Sequence, residues 1–148
     1  MSDMDKQYEF FKKYKSENES GGPIDEKDMY EWLIHFDGPK DSDYEGGKYH
    51  VRIKFHEDDL GKIPDCYFEN KELLHPNIND NGRVCFGTKI KWDKDCTILD
   101  LIGYLTYLLQ KPNFDDGYHN QQIKDFFLAD EEEYHRIVKQ IVKEFHQK

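Results

Sequence analysis

The spacing of the large apolar residues constrains this chain most, because it is every second residue in the middle of the chain and every third or fourth residue in later segments. In two runs between residues 30 and 55, apolar side chains alternate with mostly polar neighbours. The alternating side chains are Tyr30, Trp32, Ile34 and Phe36, and then Tyr49, Val51, Ile53 and Phe55. A period of two is typical of half-buried antiparallel strands, so the sequence predicts two of them here. A third, shorter strand is predicted from Ile63 to Phe68.

The helical period appears in two later segments. Thr97 and Asp100 are spaced to form a reciprocal cap, and the apolar face behind them comprises Ile98, Leu101, Ile102, Leu105 and Leu109. Asp130 and Glu133 open a last segment, whose apolar side chains are Tyr134, Ile137, Val138, Ile141, Val142 and Phe145. The sequence therefore predicts a central core helix and a C-terminal helix.

A short amphipathic helix is predicted at the start, with Ser2 or Asp3 as its cap and Met4, Tyr8, Phe11 and Tyr14 on its apolar face. Residues 16–23, which follow it, are interpreted as a linker. A helix, an antiparallel meander, a long loop and further helices make an α+β fold, with the helices on one face or end of the sheet. We interpret residues 1–148 as a single domain, since this length suits one hydrophobic core.

The charge balance narrows the possible partners. The chain has 21 Lys and Arg against 31 Asp and Glu, a net charge of −10, and no run of five or more basic residues. Such a chain matches phosphate backbones and anionic membranes poorly, so neither nucleic acid nor a membrane is expected as a partner. The sequence also starts without a charged-then-apolar leader. We expect a cytoplasmic monomer, with a nuclear location left open.

Three cysteines, Cys66, Cys85 and Cys96, match neither a disulfide framework nor the close pairs of a zinc site, so no metal is expected. Cys85 ends a long turn-rich segment, residues 75–85, and a thiol in such a loop is accessible to a substrate. It is therefore a candidate nucleophile. From the residues alone the alternative stays open that it is a small buried hydrophobic residue. Cys66 and Cys96 are interpreted as buried or incidental cysteines.

The motifs around this loop resemble one known family. His75-Pro76-Asn77, a cysteine eight positions after the asparagine, Trp92, a capped apolar helix and Pro112-Asn113-Phe114-Asp115-Asp116 are together similar to the ubiquitin-conjugating enzymes. The resemblance covers most of the chain. It implies an N-terminal helix, a four-stranded antiparallel meander, an active-site loop, a central helix and two C-terminal helical segments. The resemblance thus predicts two elements that the periodicity does not, a first strand and a short helix between residues 116 and 128.

The chemistry that the resemblance implies is acyl transfer through a thioester. Cys85 would accept the C-terminal glycyl group of ubiquitin from an activating enzyme and pass it to a lysine amine, directly or through a ligase. A cysteine near its ordinary pKa is already partly thiolate, so this exchange needs no dedicated histidine base. No cofactor is expected on this chain, because the activating enzyme is the partner that uses ATP.

Three polar residues take roles from the family pattern. Asn77 matches the asparagine of the family motif. Two roles for that asparagine stay open here: it could stabilise an oxyanion, or it could order the loop. Asp116 matches a carboxylate that orients or desolvates the incoming lysine, and Asn113 is a polar neighbour on the same loop. The alternative for Asp116 and Asn113 is that each is a solvated turn residue.

Three further residues are expected to support the loop. His75 is predicted to pack or to form hydrogen bonds within it rather than to act as a base, and Pro76 to fix its backbone. Trp92 is predicted to be buried beneath the loop, since it carries a large ring.

Docking surfaces are expected on the first helix and on a divergent loop. In the family the first helix meets the activating enzyme through basic residues, and this chain offers Lys6, Lys12, Lys13 and Lys15. The loop of residues 59–64 is a ligase contact in the family, but here Gly61 occupies the place of a bulky apolar anchor. Losing such an anchor costs about 2 kcal/mol or more at an interface, so ligase binding is left open.

Three other functions remain as alternatives. The chain could conjugate another ubiquitin-like modifier, or it could be a non-catalytic module that holds ubiquitin on its sheet. A Cys–His hydrolase would use Cys85 and His75, but it needs a base beside the thiol and an orienting group, and the sequence identifies no such group.

Overall fold

Four helices and a four-stranded antiparallel sheet make up the part of the chain that the computed structural model describes, residues 2–88, 90–116 and 120–147. In chain order the elements are α1 (Asp3–Tyr14), β1 (Ser20–Asp25), β2 (Asp28–Asp37), β3 (Lys48–Lys54), β4 (Asp65–Phe68), α2 (Ile98–Gln110), α3 (Gln121–Ala129) and α4 (Glu131–Phe145). The strands follow one another across the sheet in the order β1-β2-β3-β4. The α+β fold predicted from the sequence is confirmed.

The two alternating runs form the centre of the sheet. Trp32 pairs with Ile53, and Phe36 pairs with Tyr49 across the β2–β3 ladder. All four side chains are buried, while the residues between them face the other side of the sheet. The period of two in the sequence therefore reports one face of a sheet that packs against the core.

Strand β1 corrects the interpretation of residues 16–23 as a linker, because Ser20 to Pro23 pair with β2. Gly21 adopts φ 115°, and a Cβ there would lie 2.1 Å from the carbonyl oxygen of Leu33. The backbone of β2 therefore comes closer than a side chain at residue 21 would allow. The predicted third strand is also shorter than expected, since β4 begins at Asp65 rather than at Ile63.

The caps predicted for the helices are present. Ser2 and Asp5 form a reciprocal cap on α1, Thr97 and Asp100 do the same on α2, and the Asp130 side chain accepts the N–H of Glu133 at α4. Each cap gives partners to backbone N–H groups that a first helical turn leaves unpaired.

Helix α1 is fixed to the sheet through Trp32, which is fully buried. The ring of Trp32 makes edge-to-face contacts with Tyr8, Phe11 and Phe55, with ring centroids 5.6–6.0 Å apart. The predicted apolar face of α2 is buried as well, which makes α2 the central core helix. None of the helices in the described ranges is both long enough and apolar enough to span a membrane.

Candidate functional site

The Cys85 segment is held by backbone hydrogen bonds on both sides. The N–H of Val84 donates to the carbonyl of Cys66 on β4 at 2.9 Å, and the N–H of Cys85 donates to the carbonyl of Asn77 at 2.8 Å. A turn at Gly82, with φ 84°, reverses the chain between Asn77 and Val84. The loop of residues 75–85 therefore folds back on itself and places the cysteine beside the asparagine.

His75 anchors this loop to the core helix. Its ring is fully buried, its Nε2 lies 2.7 Å from the carbonyl oxygen of Leu108, and its Nδ1 lies 3.0 Å from the backbone N–H of Asn77. A carbonyl can only accept and an N–H can only donate, so Nε2 carries the proton. Burial lowers the pKa of His75 to about 4. Both ring nitrogens are thus engaged in a neutral ring, and neither is placed to take a proton from Cys85.

Asn77 connects the loop to a second one, residues 112–116. Its side chain is fully buried. The Nδ2 group donates to the carbonyl of Asn113, and Oδ1 accepts the N–H of Asn113, each at 2.8 Å. These are the contacts expected of a loop-ordering residue. The Nδ2 group carries two N–H donors, so its bond to Asn113 does not by itself exclude that it also stabilises an oxyanion.

Asp116 lies beside the residues that follow Cys85. Its Oδ1 accepts from the side-chain Nδ2 of Asn113 at 2.6 Å, and its Oδ2 accepts from the backbone N–H of Thr88 at 3.1 Å and from the Thr88 hydroxyl. A Cβ at Gly87 would lie 2.7 Å from Oδ1. The carboxylate therefore contacts the residues that immediately follow Cys85.

The three thiols differ in their surroundings. Cys85 is half-buried at the end of its loop, whereas Cys66 is fully buried in β4 and burial raises its pKa strongly. Burial is also the largest cause of the raised pKa of Cys96, which lies before α2. All three are free cysteines. A raised pKa lowers the thiolate fraction, so neither Cys66 nor Cys96 is suited to be the nucleophile.

Trp92 is only half-buried, whereas the sequence predicts a ring buried beneath the active-site loop. Its indole N–H donates to the carbonyl of Leu60, 3.4 Å away, on the divergent 59–64 loop. It lines an open groove of about 890 Å³ between α1, residues 58–61 and residues 92–97. Its indole N–H finds its partner there, which the size of the ring alone does not indicate.

The docking lysines predicted on α1 surround two exposed aromatic rings. Lys6, Lys12 and Lys13 lie beside Phe10 and Tyr14, whose centroids are 4.8 Å apart. Lys12 also forms an ion pair with Glu9 at 2.9 Å, and the Lys13 ammonium lies 5.3 Å from the centre of the Tyr14 ring. The outer side of α1 is therefore basic and aromatic.

Sequence reasoning missed Thr88. Its two hydrogen bonds to Asp116 span 28 residues, and no motif marks it. Its position three residues after Cys85 is the only signal in the sequence. Within the described ranges, no group of three or more His, Cys, Asp or Glu side chains is arranged to hold a metal ion.

Comparison with known families agrees with this geometry. The family model described as ubiquitin-conjugating enzyme matches residues 3–142, nearly the whole length of the sequence. The match includes the His75 to Cys85 loop, the Asn113 to Asp116 loop and all four strands. The chain belongs to the ubiquitin-conjugating enzyme family, and it is an enzyme of the conjugating type.

Proposed function

We propose that this chain accepts ubiquitin as a thioester on Cys85 and transfers it to a lysine amine of a substrate or to a ligase. The observation that carries the proposal is that the Cys85 segment contacts both Asn77 and Asp116. The N–H of Cys85 donates to the carbonyl of Asn77, and Gly87 and Thr88, which follow it, lie against the Asp116 carboxylate. Asn113 joins these two residues, since it forms hydrogen bonds with both.

In the first step the Cys85 thiolate attacks the thioester carbonyl that the activating enzyme carries. A new carbon–sulfur bond forms to Cys85, and the thiolate of the activating enzyme leaves. One thioester replaces another, so the exchange is close to balanced, and the ATP is used earlier by the partner. The neutral His75 ring is not required, because a thiolate is nucleophilic without a base.

In the second step a neutral lysine amine attacks the Cys85 thioester. The amide bond forms, the Cys85 thiolate leaves, and the amine loses a proton to solvent. The Asp116 carboxylate is suited to orient the amine as it approaches. Asn77 acts by ordering the loop, since both ends of its side-chain amide are engaged by Asn113.

The test mixes the chain with activating enzyme, ATP and one modifier at a time, ubiquitin and a panel of ubiquitin-like proteins, followed by a non-reducing gel. We expect a thiol-sensitive adduct with ubiquitin that is lost in Cys85→Ala and kept in Cys96→Ala, the matched control. An adduct with a different modifier instead would mean that the chain conjugates that ubiquitin-like protein rather than ubiquitin. A wild-type chain that binds ubiquitin but never forms an adduct would support the non-catalytic module instead.

The basic, aromatic side of α1 is the surface we propose for the activating enzyme. Lys6 and Lys13 are exposed there, and an acidic partner surface would complement them. A Lys6→Glu, Lys13→Glu double variant should slow adduct formation several-fold at low salt, whereas Lys143→Glu on α4 should not. Equal rates in the two variants would place the activating enzyme elsewhere.

The groove beside Trp92 is the surface we propose for a ligase. Its apolar lining is formed by Met4, Phe10, Phe55, Leu60 and Trp92. Its charged lining is mainly acidic, with the exposed carboxylates of Asp3, Asp58, Asp59, Asp93 and Asp95 against two lysines, Lys6 and Lys94. Gly61 adds no side chain to the apolar lining. The groove therefore suits a ligase segment that inserts an apolar side chain between basic residues.

A charge-reversal variant tests this groove. Asp58→Lys, Asp95→Lys should weaken the discharge stimulated by ligase domains with a basic binding edge. Spontaneous discharge to free lysine is the internal control, and equal loss of both would contradict the assignment.

We propose a cytoplasmic monomer as the working form.

A further inference from the structure

Both hydrogen-bond donors of Thr88 point to a single oxygen of Asp116. The backbone N–H lies 3.1 Å from Oδ2, and the hydroxyl donates to the same atom. The other oxygen, Oδ1, accepts from the Asn113 side chain at 2.6 Å. Each oxygen of this half-buried carboxylate thus has a donor, and the two sets of donors lie on different segments of the chain.

Gly87 makes the close approach possible. It adopts φ 71°, a left-handed conformation that glycine takes without strain. A Cβ at this position would lie 2.7 Å from Oδ1 of Asp116 and 3.4 Å from Nδ2 of Asn113. The chain leaving Cys85 therefore passes directly against the carboxylate, and Thr88 reaches it from the next residue.

Donors on both oxygens restrict how the carboxylate can rotate. A carboxylate that orients an approaching amine acts through direction as well as charge, and a small misplacement of such a group is costly in rate. The Asn113 donor holds one oxygen, but it lies on the same short loop as Asp116. The Thr88 donors connect the carboxylate to the segment of Cys85.

We propose that Thr88 is a positioning residue, which holds Asp116 in the orientation that receives the lysine amine. The inference rests on the proposed thioester at Cys85. Thr88 acts through Asp116 and contacts neither the thiol nor the amine. Its hydroxyl is therefore required for transfer to lysine and not for transfer to a nucleophile that needs no orienting carboxylate.

The experiment compares Thr88→Val with Thr88→Ser. Valine keeps the shape of threonine and the backbone N–H but removes the hydroxyl, and serine restores the hydroxyl. Each variant is loaded with ubiquitin, the activating enzyme is stopped, and discharge of the loaded fraction is followed with free lysine and, separately, with hydroxylamine. Because a hydrogen bond to a charged group is lost, we expect discharge to lysine to fall about tenfold in Thr88→Val.

Discharge to hydroxylamine should stay within about twofold of wild type, and Thr88→Ser should recover the lysine rate. In an Asp116→Asn background, Thr88→Val should cause no further loss, since the carboxylate that it positions is gone. If Thr88→Val slowed discharge to lysine and to hydroxylamine equally, or did not slow discharge to lysine, the role proposed for Thr88 would be overturned while the proposed function would stand. A wild-type chain that never loads would overturn the proposed function and this inference with it.

Discussion

The side-chain amide of Asn77 donates to the carbonyl of Asn113 and accepts the N–H of the same residue, each at 2.8 Å. The backbone carbonyl of Asn77 also accepts the N–H of Cys85. One buried asparagine therefore connects the backbone beside the candidate nucleophile with the loop that carries Asp116. A change at Asn77 should reach both of them.

Asn77→Ala should loosen the loop of Asn113. Two part-buried backbone groups lose their partners, which costs about 1–3 kcal/mol of the free energy of unfolding. The N–H of Asn113 should then exchange with deuterium faster, and discharge to lysine should fall. Asn79→Ala is the matched control, because it removes two hydrogen bonds within the first loop, from Asn81 and Arg83. Equal exchange at Asn113 in the two variants would show that Asn77 does not order the second loop.

His75 should make the protein less stable in acid. Its pKa is lowered to about 4 in the fold by burial and is about 6.5 in an unfolded chain, so the unfolded state binds a proton more readily between these values. Above pH 6.5 the buried neutral ring therefore does not lower the free energy of unfolding. As the pH falls towards 4 the free energy of unfolding decreases, by roughly 3 kcal/mol in all. Burial also lowers the pKa of His146, which acts in the same direction.

Two measurements separate His75 from the other histidines. A nitrogen–proton NMR titration of the rings should show His75 as the Nε2–H tautomer down to about pH 5, since its folded pKa is about 4. Urea unfolding between pH 7 and 4.5 should give a weaker pH dependence for His75→Gln than for wild type. A ring that titrates near pH 6.5 in the folded protein would contradict the anchoring geometry.

The strands and caps could be predicted because their causes are local. Trp32, Ile34 and Phe36 alternate with mostly polar residues, since one face of β2 packs on the core, and Thr97 caps a helix three residues before Asp100. Strand β1 could not be found by periodicity, because Ser20 to Pro23 contain no large apolar side chain. Pairing with β2 is what makes that segment a strand.

The site divides in the same way. The family motif identified the loop of Cys85 and the positions of Asn77 and Asp116. Their partners lie far away in sequence: 36 residues separate Asn77 from Asn113, and 28 separate Thr88 from Asp116. Such pairings depend on how two loops meet over the core helix, and no local pattern in either loop specifies them.

Two glycines should respond to alanine in opposite directions. Gly103 lies in α2, and a Cβ there would meet nothing within 4 Å, so Gly103→Ala should stabilise the protein by about 0.5–1 kcal/mol. Gly82 has φ 84°, and a Cβ there would lie 2.1 Å from the carbonyl oxygen of Phe68. Gly82→Ala should therefore destabilise it by more than about 1 kcal/mol. Urea unfolding checks both, and equal shifts in the same direction would refute the assigned geometry.

His135 and Asp43 should contribute to stability with the opposite pH dependence to His75. The His135 Nδ1 lies 2.5 Å from Oδ2 of Asp43, a contact that joins α4 to the loop between β2 and β3. The hydrogen bond to Asp43 is the largest cause of the raised pKa of His135. The protonated ring is therefore favoured in the fold. The stabilisation is fully present below the unfolded pKa of about 6.5 and is lost as the pH rises through the raised folded pKa.

His135→Gln measures this contribution. The His135 side chain is 41% exposed, so solvent screens the pair, and we expect a loss of no more than about 1 kcal/mol at pH 6 that shrinks towards zero by pH 9. Glu131→Gln is the control, because Glu131 is 3.5 Å from the other ring nitrogen and is 66% exposed. It should change stability less at pH 6. A loss in His135→Gln that is the same at both pH values would mean that the ring stabilises the contact by packing, since packing does not depend on its charge.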